Sequence, residues 1–171
     1  MNKIAVFAHY DANNRIADYV LYYLRALKTV CNEIIFVSTS DLNNFEKQKL
    51  NGIVKHTINR ENIGHDFYSY KVGINAIENL KEVEQLILCN DSCFGPLFPL
   101  SDIFVQMTSK PADFWGMSAN SRPQFHLQSY FLVFKYNVIN SEIFNLFWNG
   151  VQILENKDQI VFDYEVGLSQ Q

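Results

Sequence analysis

The chain has 171 residues, a length that fits one domain and can bury a genuine core. Hydrophobic residues make up 48% of it and charged residues 19%, a balance typical of a globular protein rather than a disordered one. The formal net charge is −4 and no basic block is present, so the chain lacks the positive stripe that a nucleic-acid partner needs.

The first half of the chain alternates short apolar segments with segments of helical periodicity. Strands are predicted at 3–8, 33–38, 53–58 and 85–89. Helices are predicted at about 16–30, 41–50 and 67–80, capped respectively by Asn13 or Asn14, by Ser40 or Asp41, and by Asp66. This order predicts parallel pairing with right-handed crossovers, and therefore an α/β fold with a Rossmann-like, mostly parallel sheet flanked by helices.

The second half of the chain is less regular. Segment 94–107 contains glycine and prolines, so it is predicted to begin as a loop and to end as a short helix. Two strands and two further helices are predicted at 113–118, 127–134, 142–149 and from about 157. Ser141 is expected to cap the first of these helices, with Ile143, Leu146 and Phe147 facing inward.

Polar residues follow the fourth predicted strand, at the sheet edge where α/β proteins bind ligands. The sequence there is Asn90-Asp91-Ser92. A carboxylate with a neighbouring amide or hydroxyl can offer oxygen ligands to a hard divalent cation that is shared with a diphosphate. The alternative is a simple turn, which these three residue types also favour.

A second polar loop precedes the third predicted helix. Gly64 permits close approach of the backbone or a positive φ, and Asp66 can cap a helix whose free amides favour an anion. Arg60 can pair with a phosphate. A plain capping loop is the alternative.

The loop after the first predicted strand carries His9 and Asp11, at a position that commonly holds a nucleobase or ribose in α/β folds. Neither a dinucleotide-binding glycine motif nor a P-loop follows, which counts against a dinucleotide cofactor and against an ATPase. His9 alone is also typical of a hydrogen-bonded structural residue.

Two groups of residues near the end of the chain suit a sugar acceptor. Polar groups among aromatic rings fit a sugar, and the sequence offers Trp115, His126, Gln128 and Tyr130. Glu165 is a candidate general base for an acceptor hydroxyl. The alternatives are a strand with one solvated face, and a glutamate that only complements a helix dipole.

The three cysteines, the N-terminus and the hydropathy indicate the compartment. Cys31, Cys89 and Cys93 are odd in number and widely spread, which argues against a disulfide scaffold, and no second Cys/His pair completes a zinc set. No signal-peptide pattern or bilayer-length apolar run is present. The sequence therefore predicts a cytoplasmic protein, and association with the inner membrane face through a partner remains open.

Five segments together resemble the rhamnan synthesis protein F family. They are NIGHDFYSYKVG at 62–73, LCNDSCFGP at 88–96, DFWGM at 113–117, HLQSYF at 126–131 and YEVGLS at 164–169. The resemblance implies a GT-A-like bacterial glycosyltransferase domain over 1–171 that moves a sugar, with rhamnose as a candidate, from a nucleoside diphosphate sugar to a cell-surface polysaccharide. A non-catalytic nucleotide- or carbohydrate-binding module is the alternative, as is an α/β interaction domain without a ligand.

The resemblance also implies roles for individual residues. It places Mg²⁺ or Mn²⁺ at Asp91, although Asn90-Asp91-Ser92 carries one carboxylate where Asp-x-Asp is usual. The donor-side residues would be His9, Asp11, Arg60, Asn62, Gly64, Asp66, Asn90, Asp91 and Ser92. Gln128 and Glu165 would face a glycan or lipid-linked acceptor. Enzymes of this type often continue beyond the last matching segment, so a shortened chain, a minimal member and an inactive remnant are all compatible with it.

Overall fold

The computed structural model describes residues 2–170, which form eight strands and seven helices. The strands are β1 Lys3–His9, β2 Glu33–Ser38, β3 His56–Asn59, β4 Gln85–Asn90, β5 Phe114–Gly116, β6 Ala119–Asn120, β7 His126–Leu127 and β8 Phe131–Lys135. The helices are α1 Asp18–Leu27, α2 Asn44–Gln48, α3 His65–Asn75, α4 Leu100–Thr108, α5 Tyr136–Ile139, α6 Glu142–Gly150 and α7 Lys157–Ile160. A 3₁₀ turn at Leu80–Glu82 precedes β4, and a π-helix at Val161–Val166 continues α7.

Six strands form one sheet in the order β3-β2-β1-β4-β8-β5. The first four are parallel to one another, whereas β8 runs antiparallel to both β4 and β5. Strand β1 is central, since Val6 is in register with Ile35 on one side and Leu88 on the other. The predicted α/β fold with a mostly parallel, Rossmann-like sheet is confirmed. Within residues 2–170, no helix is both long and apolar enough to cross a bilayer.

The sheet buries an apolar core on each face, because alternate side chains of its strands point to opposite sides. On one face Phe7 and Phe36 pack with Leu24 of α1. On the other, Val6 packs with Tyr70 of α3 and Trp148 of α6. The parallel strands end at one edge between these two layers, and that edge carries the polar loops.

Two helices of the first half begin later than predicted. Helix α1 begins at Asp18 and not directly after Asn13 or Asn14, because Asn14 adopts φ 55° and its side chain accepts the Asp41 N–H at 2.9 Å. The N-cap of α2 is Asn43, whose side chain accepts the Glu46 N–H at 3.0 Å. The predicted caps Ser40 and Asp41 are therefore wrong, and the third strand begins at His56, later than predicted.

The third predicted helix also differs at both ends. The N-cap of α3 is Gly64, so Asp66 lies in the first turn and not at the cap. The helix ends at Asn75, and a 3₁₀ turn occupies the end of the predicted range. Asp66 still lies where a carboxylate is favoured by the helix dipole.

Helix α6 is capped by Ser141 as predicted, with the Phe144 N–H donating to its hydroxyl at 3.1 Å, but it faces the core differently. Ile143 is 52% and Leu146 is 64% exposed, whereas Phe144 and Trp148 are buried. The prediction that Ile143 and Leu146 face inward is wrong. In a segment this rich in apolar residues, 3.6-residue periodicity fits two faces, and the two large aromatic side chains pack into the core.

The strand predicted at 127–134 is interrupted between β7 and β8. Residues 128–130 separate the two strands, and β7 pairs with β6 in a two-stranded sheet of its own. Because of this interruption, Leu127 packs with the core of Leu132 and Phe134, and not on the side of Phe131 as strict alternation predicts.

Candidate active site at the carboxyl edge of the sheet

The ends of β1 and β4 meet because the two strands are parallel neighbours. The Tyr10 N–H donates to Asp91 Oδ2 at 2.9 Å, and the Tyr19 hydroxyl donates to the Asp91 carbonyl at 3.3 Å. The structure therefore brings Asp91 against the segment that carries His9 and Asp11.

The carboxyl group of Asp91 lies in an environment that disfavours its charge. Its side chain is only 13% exposed. Burial raises its pKa to about 6, and the nearby carboxylates of Asp66 and Asp11 add to this effect, whereas the Tyr10 N–H opposes it. Three acidic side chains thus influence one edge of the sheet, an arrangement that a cation would stabilise.

His9 is buried directly behind Asp91. Its Nδ1 lies 2.9 Å from Ser38 Oγ, and its Nε2 lies 3.9 Å from Asp91 Oδ2. Among the described residues, Nε2 has no hydrogen-bond partner. Burial lowers the pKa of His9 to about 4, so the ring is neutral at physiological pH.

Asn90 links the end of β4 to the start of α3. Its Nδ2 donates to Asp66 Oδ2 at 2.8 Å, and its Oδ1 accepts the Ser92 N–H at 3.0 Å. Burial raises the pKa of Asp66, while the hydrogen bond from Asn90 opposes that shift. Asn90 therefore fixes Asp66 beside Asp91, and Ser92 remains exposed at the edge.

Arg60 has a structural role in place of the predicted pairing with a phosphate. Its Nε and Nη2 donate to Ser69 Oγ at 3.0 and 2.7 Å, and Nη2 also donates to the His65 carbonyl at 2.7 Å. Its Nη1 donates to the carbonyls of Glu61 and Ile63. All five guanidinium N–H groups are thus used by the loop and by the first turns of α3, which leaves none for the predicted contact with a phosphate.

A cavity of about 240 Å³ lies at the start of α3, lined by Asn62, Ile63, Gly64, His65, Leu154 and Glu155. Gly64 is required there, because it has φ 71° and a Cβ would lie 2.9 Å from Tyr68 Cβ. Asn62 and Gly64 therefore both line this cavity. Asp66 and Asp91 do not line it and lie on the side of Asn90.

Two residues predicted to contact the acceptor are core residues. Trp115 is 5% exposed, and its ring packs edge-on against Phe104 at 5.2 Å between centroids. His126 is 2% exposed. The prediction that these two side chains offer a surface to a sugar is wrong, because aromatic residues in short strands of a small sheet also fill the core.

The other two acceptor-side candidates lie in the interruption between β7 and β8, and both are half-buried. Gln128 Oε1 accepts the Ser118 hydroxyl at 2.7 Å. The Tyr130 carbonyl accepts the Asn90 N–H at 3.2 Å, so this segment adjoins the donor-side residues directly. Tyr130 also lines an apolar cavity of about 260 Å³ beneath the loop that contains Phe94.

Glu165 lies in the π-helix and reaches the same segment. The Ser129 hydroxyl donates to Glu165 Oε2 at 2.7 Å, and His126 Nε2 lies 3.5 Å from Oε1. The completely buried Tyr70 donates its hydroxyl to the Ser129 carbonyl at 2.9 Å. π-Helices are rare in proteins, and those that do occur are frequently found at functional sites. Sequence reasoning missed Ser129, for which the surrounding matching segment was the available signal.

The oxygen atoms at this edge suit a divalent cation that binds together with the diphosphate of a substrate. Across residues 2–170, no three histidine, cysteine, aspartate or glutamate side chains form a metal-binding group. Asp91 offers one carboxylate, and Mg²⁺ is commonly held by one or two carboxylates together with substrate phosphates and water. Asp91 therefore fits a divalent cation bound jointly with a diphosphate.

The sheet order and the flanking helices define a class of Rossmann-like α/β proteins. A solved structure of 4-diphosphocytidyl-2C-methyl-D-erythritol synthase from Anaerococcus prevotii DSM 20548 shares the fold with a TM-score of 0.56 at 12% identity, covering 95% of this chain and 84% of that one. The model of the rhamnan synthesis protein F family matches residues 34–171. The chain belongs to that family, which confirms the resemblance of its five segments.

Two curated relatives are considerably longer than this chain. The virulence protein VirA of Vibrio anguillarum is 30% identical over 116 residues, which cover 65% of this chain and 36% of the relative. The uncharacterized protein y4gN of Sinorhizobium fredii is 26% identical over 141 residues, which cover 80% of this chain and 37% of the relative. The matched regions thus span little more than a third of each relative.

Proposed function

We propose that this chain is a glycosyltransferase unit that moves a sugar, with rhamnose as the first candidate, from a nucleoside diphosphate donor to a cell-surface polysaccharide. The observation that carries the proposal is the position of Asp91, in contact with the end of β1 and linked through Asn90 to Asp66 of α3. Membership of the rhamnan synthesis family supports a carbohydrate substrate.

On the donor side, each residue has a chemical task in this proposal. Asp11 lies beside the base and ribose, whereas His9 is buried behind Asp91 and does not touch the donor. Asn62 and Gly64 line the cavity at the start of α3. Asp91 would hold Mg²⁺ or Mn²⁺, which would neutralise charge on the leaving diphosphate. The free amides at the start of α3 favour an anion in the cavity that Asn62 and Gly64 line.

On the acceptor side, Glu165 is the general base that takes the proton of an acceptor hydroxyl. Its side chain is 17% exposed, so part of it lies at the surface. Gln128 and Tyr130 adjoin Ser129 along the chain, and Tyr130 borders the apolar cavity. A glycan or lipid-linked acceptor suits this side, and a lipid-linked one would place the protein at the inner membrane face.

Transfer of labelled sugar into the glycolipids of bacterial membranes tests the proposal, using a panel of nucleoside diphosphate sugars that includes rhamnose donors. We expect transfer from at least one donor, stimulated by Mn²⁺ or Mg²⁺. Glu165→Gln should lower kcat by roughly 10² to 10⁴, the usual contribution of a general base. Asp163→Asn is the matched control, because Asp163 lies in the same π-helix and is exposed.

The outcomes separate the proposal from a binding module. Donor-dependent transfer that Glu165→Gln abolishes and Asp163→Asn preserves supports the proposal. Binding of a nucleotide sugar without any transfer across the panel contradicts it and favours a non-catalytic nucleotide- or carbohydrate-binding module.

A further inference from the structure

The loop between β4 and α4 exposes large apolar side chains. Residues 92–101 include no charged residue. Phe94 is 79%, Leu97 is 87% and Phe98 is 76% exposed, and all three line the same cavity. An aromatic side chain offers about 150–250 Å² of surface, so the three together form an apolar patch on the order of a few hundred Å². Patches of this size on a single chain often bind another molecule.

Helix α1 holds this loop against the domain. The Tyr22 hydroxyl donates to the Pro96 carbonyl at 3.1 Å. The Tyr19 ring packs against the Phe94 ring with 4.4 Å between their centroids. The loop is therefore attached to the fold at its middle, and it presents its apolar side chains from a defined position.

The exposed side chains border an open cavity of about 260 Å³. Its inner wall includes the buried side chains of Tyr23, Leu100 and Phe131. None of the described residues that line it is charged. The cavity therefore suits a hydrocarbon chain, because the hydroxyl groups of a sugar would lose their hydrogen bonds to water among these side chains.

This cavity adjoins both sides of the candidate active site. Cys93, which lines it, follows Asp91 by two residues. Tyr130, which also lines it, follows Ser129, whose hydroxyl donates to Glu165 Oε2 at 2.7 Å. An acceptor that lies between Asp91 and Glu165 would therefore have this cavity beside it.

We propose that this cavity binds the hydrocarbon chain of the acceptor, and that the acceptor is lipid-linked. The inference rests on the proposed function and narrows its acceptor from two chemical classes to one. A volume of about 260 Å³ is below the roughly 300–1,000 Å³ of sites that enclose a whole drug-sized ligand, so the cavity holds part of a chain. The rest of the chain leaves past Leu97 and Phe98. A concave apolar site of this kind favours a slender chain over a second protein.

Calorimetric titration of octyl glucoside and methyl glucoside, below the micellar concentration of octyl glucoside, tests the cavity without turnover. The two probes share a head group and differ only in chain length. Each buried CH₂ group should strengthen binding by about fourfold, so we expect octyl glucoside to bind at least about tenfold more tightly. Its binding should also show a negative heat-capacity change, which marks the burial of apolar surface.

A charge at the mouth of the cavity should weaken this binding. Leu97→Asp should weaken octyl glucoside binding by at least about fivefold, because it removes an apolar contact and places a carboxylate beside the chain. Leu146→Asp is the matched control, since Leu146 is also exposed but lies in α6, which packs on the other face of the sheet. Urea unfolding checks that both variants fold.

Equal affinity for the two glucosides, or unchanged octyl glucoside binding in Leu97→Asp, would overturn the inference. A dimer in sedimentation that Leu97→Asp dissociates, without any dependence of binding on chain length, would also overturn it and make the loop an interface between two copies.

The transfer assay separates this inference from the proposed function. An active protein that uses water-soluble glycans as well as membrane glycolipids would overturn the lipid-linked acceptor and leave the proposed function standing. A protein that binds octyl glucoside but transfers no sugar from any donor would overturn the proposed function, and with it the assignment of the bound chain to an acceptor.

Discussion

The close approach of α3 to the sheet gives a prediction that the structure makes quantitative. Gly73 lies in α3 above β1 and β2. A Cβ at this position would overlap Val6 Cγ1 and lie 3.1 Å from Val6 Cγ2 and 3.2 Å from Val37 Cγ2. Both valines are completely buried in neighbouring strands, so neither can move aside without displacing the sheet core.

The expected cost of Gly73→Ala follows from two opposing terms. Overpacking a core costs about 1–3 kcal/mol, and a direct overlap with a rigid β-branched side chain belongs at the upper end. Alanine gains about 1 kcal/mol over glycine in helix propensity. The net destabilisation is therefore about 2 kcal/mol. Because α3 carries Asp66, its displacement should also disturb the hydrogen bond from Asn90.

Urea unfolding followed by the fluorescence of Trp115 and Trp148 measures this cost as a shift in midpoint at constant slope. Gly150→Ala is the matched control, because Gly150 also lies in a helix and a Cβ there meets nothing within 4 Å. It should be neutral or stabilising by up to about 1 kcal/mol. A Gly73→Ala protein as stable as the wild type would refute the close-packing argument.

Two further predictions concern the loop before α3 and the buried thiols. Arg60→Lys should destabilise the fold by about 1–3 kcal/mol in the same urea assay, because an ammonium cannot replace the planar set of donors that holds this loop; an unchanged midpoint would contradict the structural role of Arg60. Burial raises the pKa of the Cys31 thiol to about 12, so Cys31 should resist iodoacetamide at pH 8 until the protein unfolds. Mass spectrometry checks this, and rapid native alkylation would contradict it.

The sheet was predictable because its central strands are short apolar runs. Residues 33–38 form β2 as predicted, and β1 and β4 each extend one residue beyond their predicted ends. A fully buried parallel strand leaves this pattern regardless of its tertiary partners. The edge that carries Asp91 followed from topology, since parallel strands end on the same side.

Side-chain hydrogen bonds and side-chain packing were not predictable. From the sequence alone Arg60 is a candidate phosphate ligand, because the sequence does not show that nearby backbone carbonyls accept its hydrogen bonds. His126 was predicted to bind a sugar because no local sequence pattern pairs it with Glu165, against which it is buried. The inward face of α6 was mistaken because propensity and periodicity do not rank two apolar faces of one helix.

The most direct test of the account is calorimetric titration of UDP, GDP and dTDP into the protein with and without Mn²⁺. We predict that at least one diphosphate binds in a Mn²⁺-dependent manner. Asp91→Asn should weaken it by at least about tenfold, equivalent to about 1.4 kcal/mol, and the exposed control Asp102→Asn should not. Failure of all three to bind, or equal affinity in Asp91→Asn, would contradict a donor site at the end of β4.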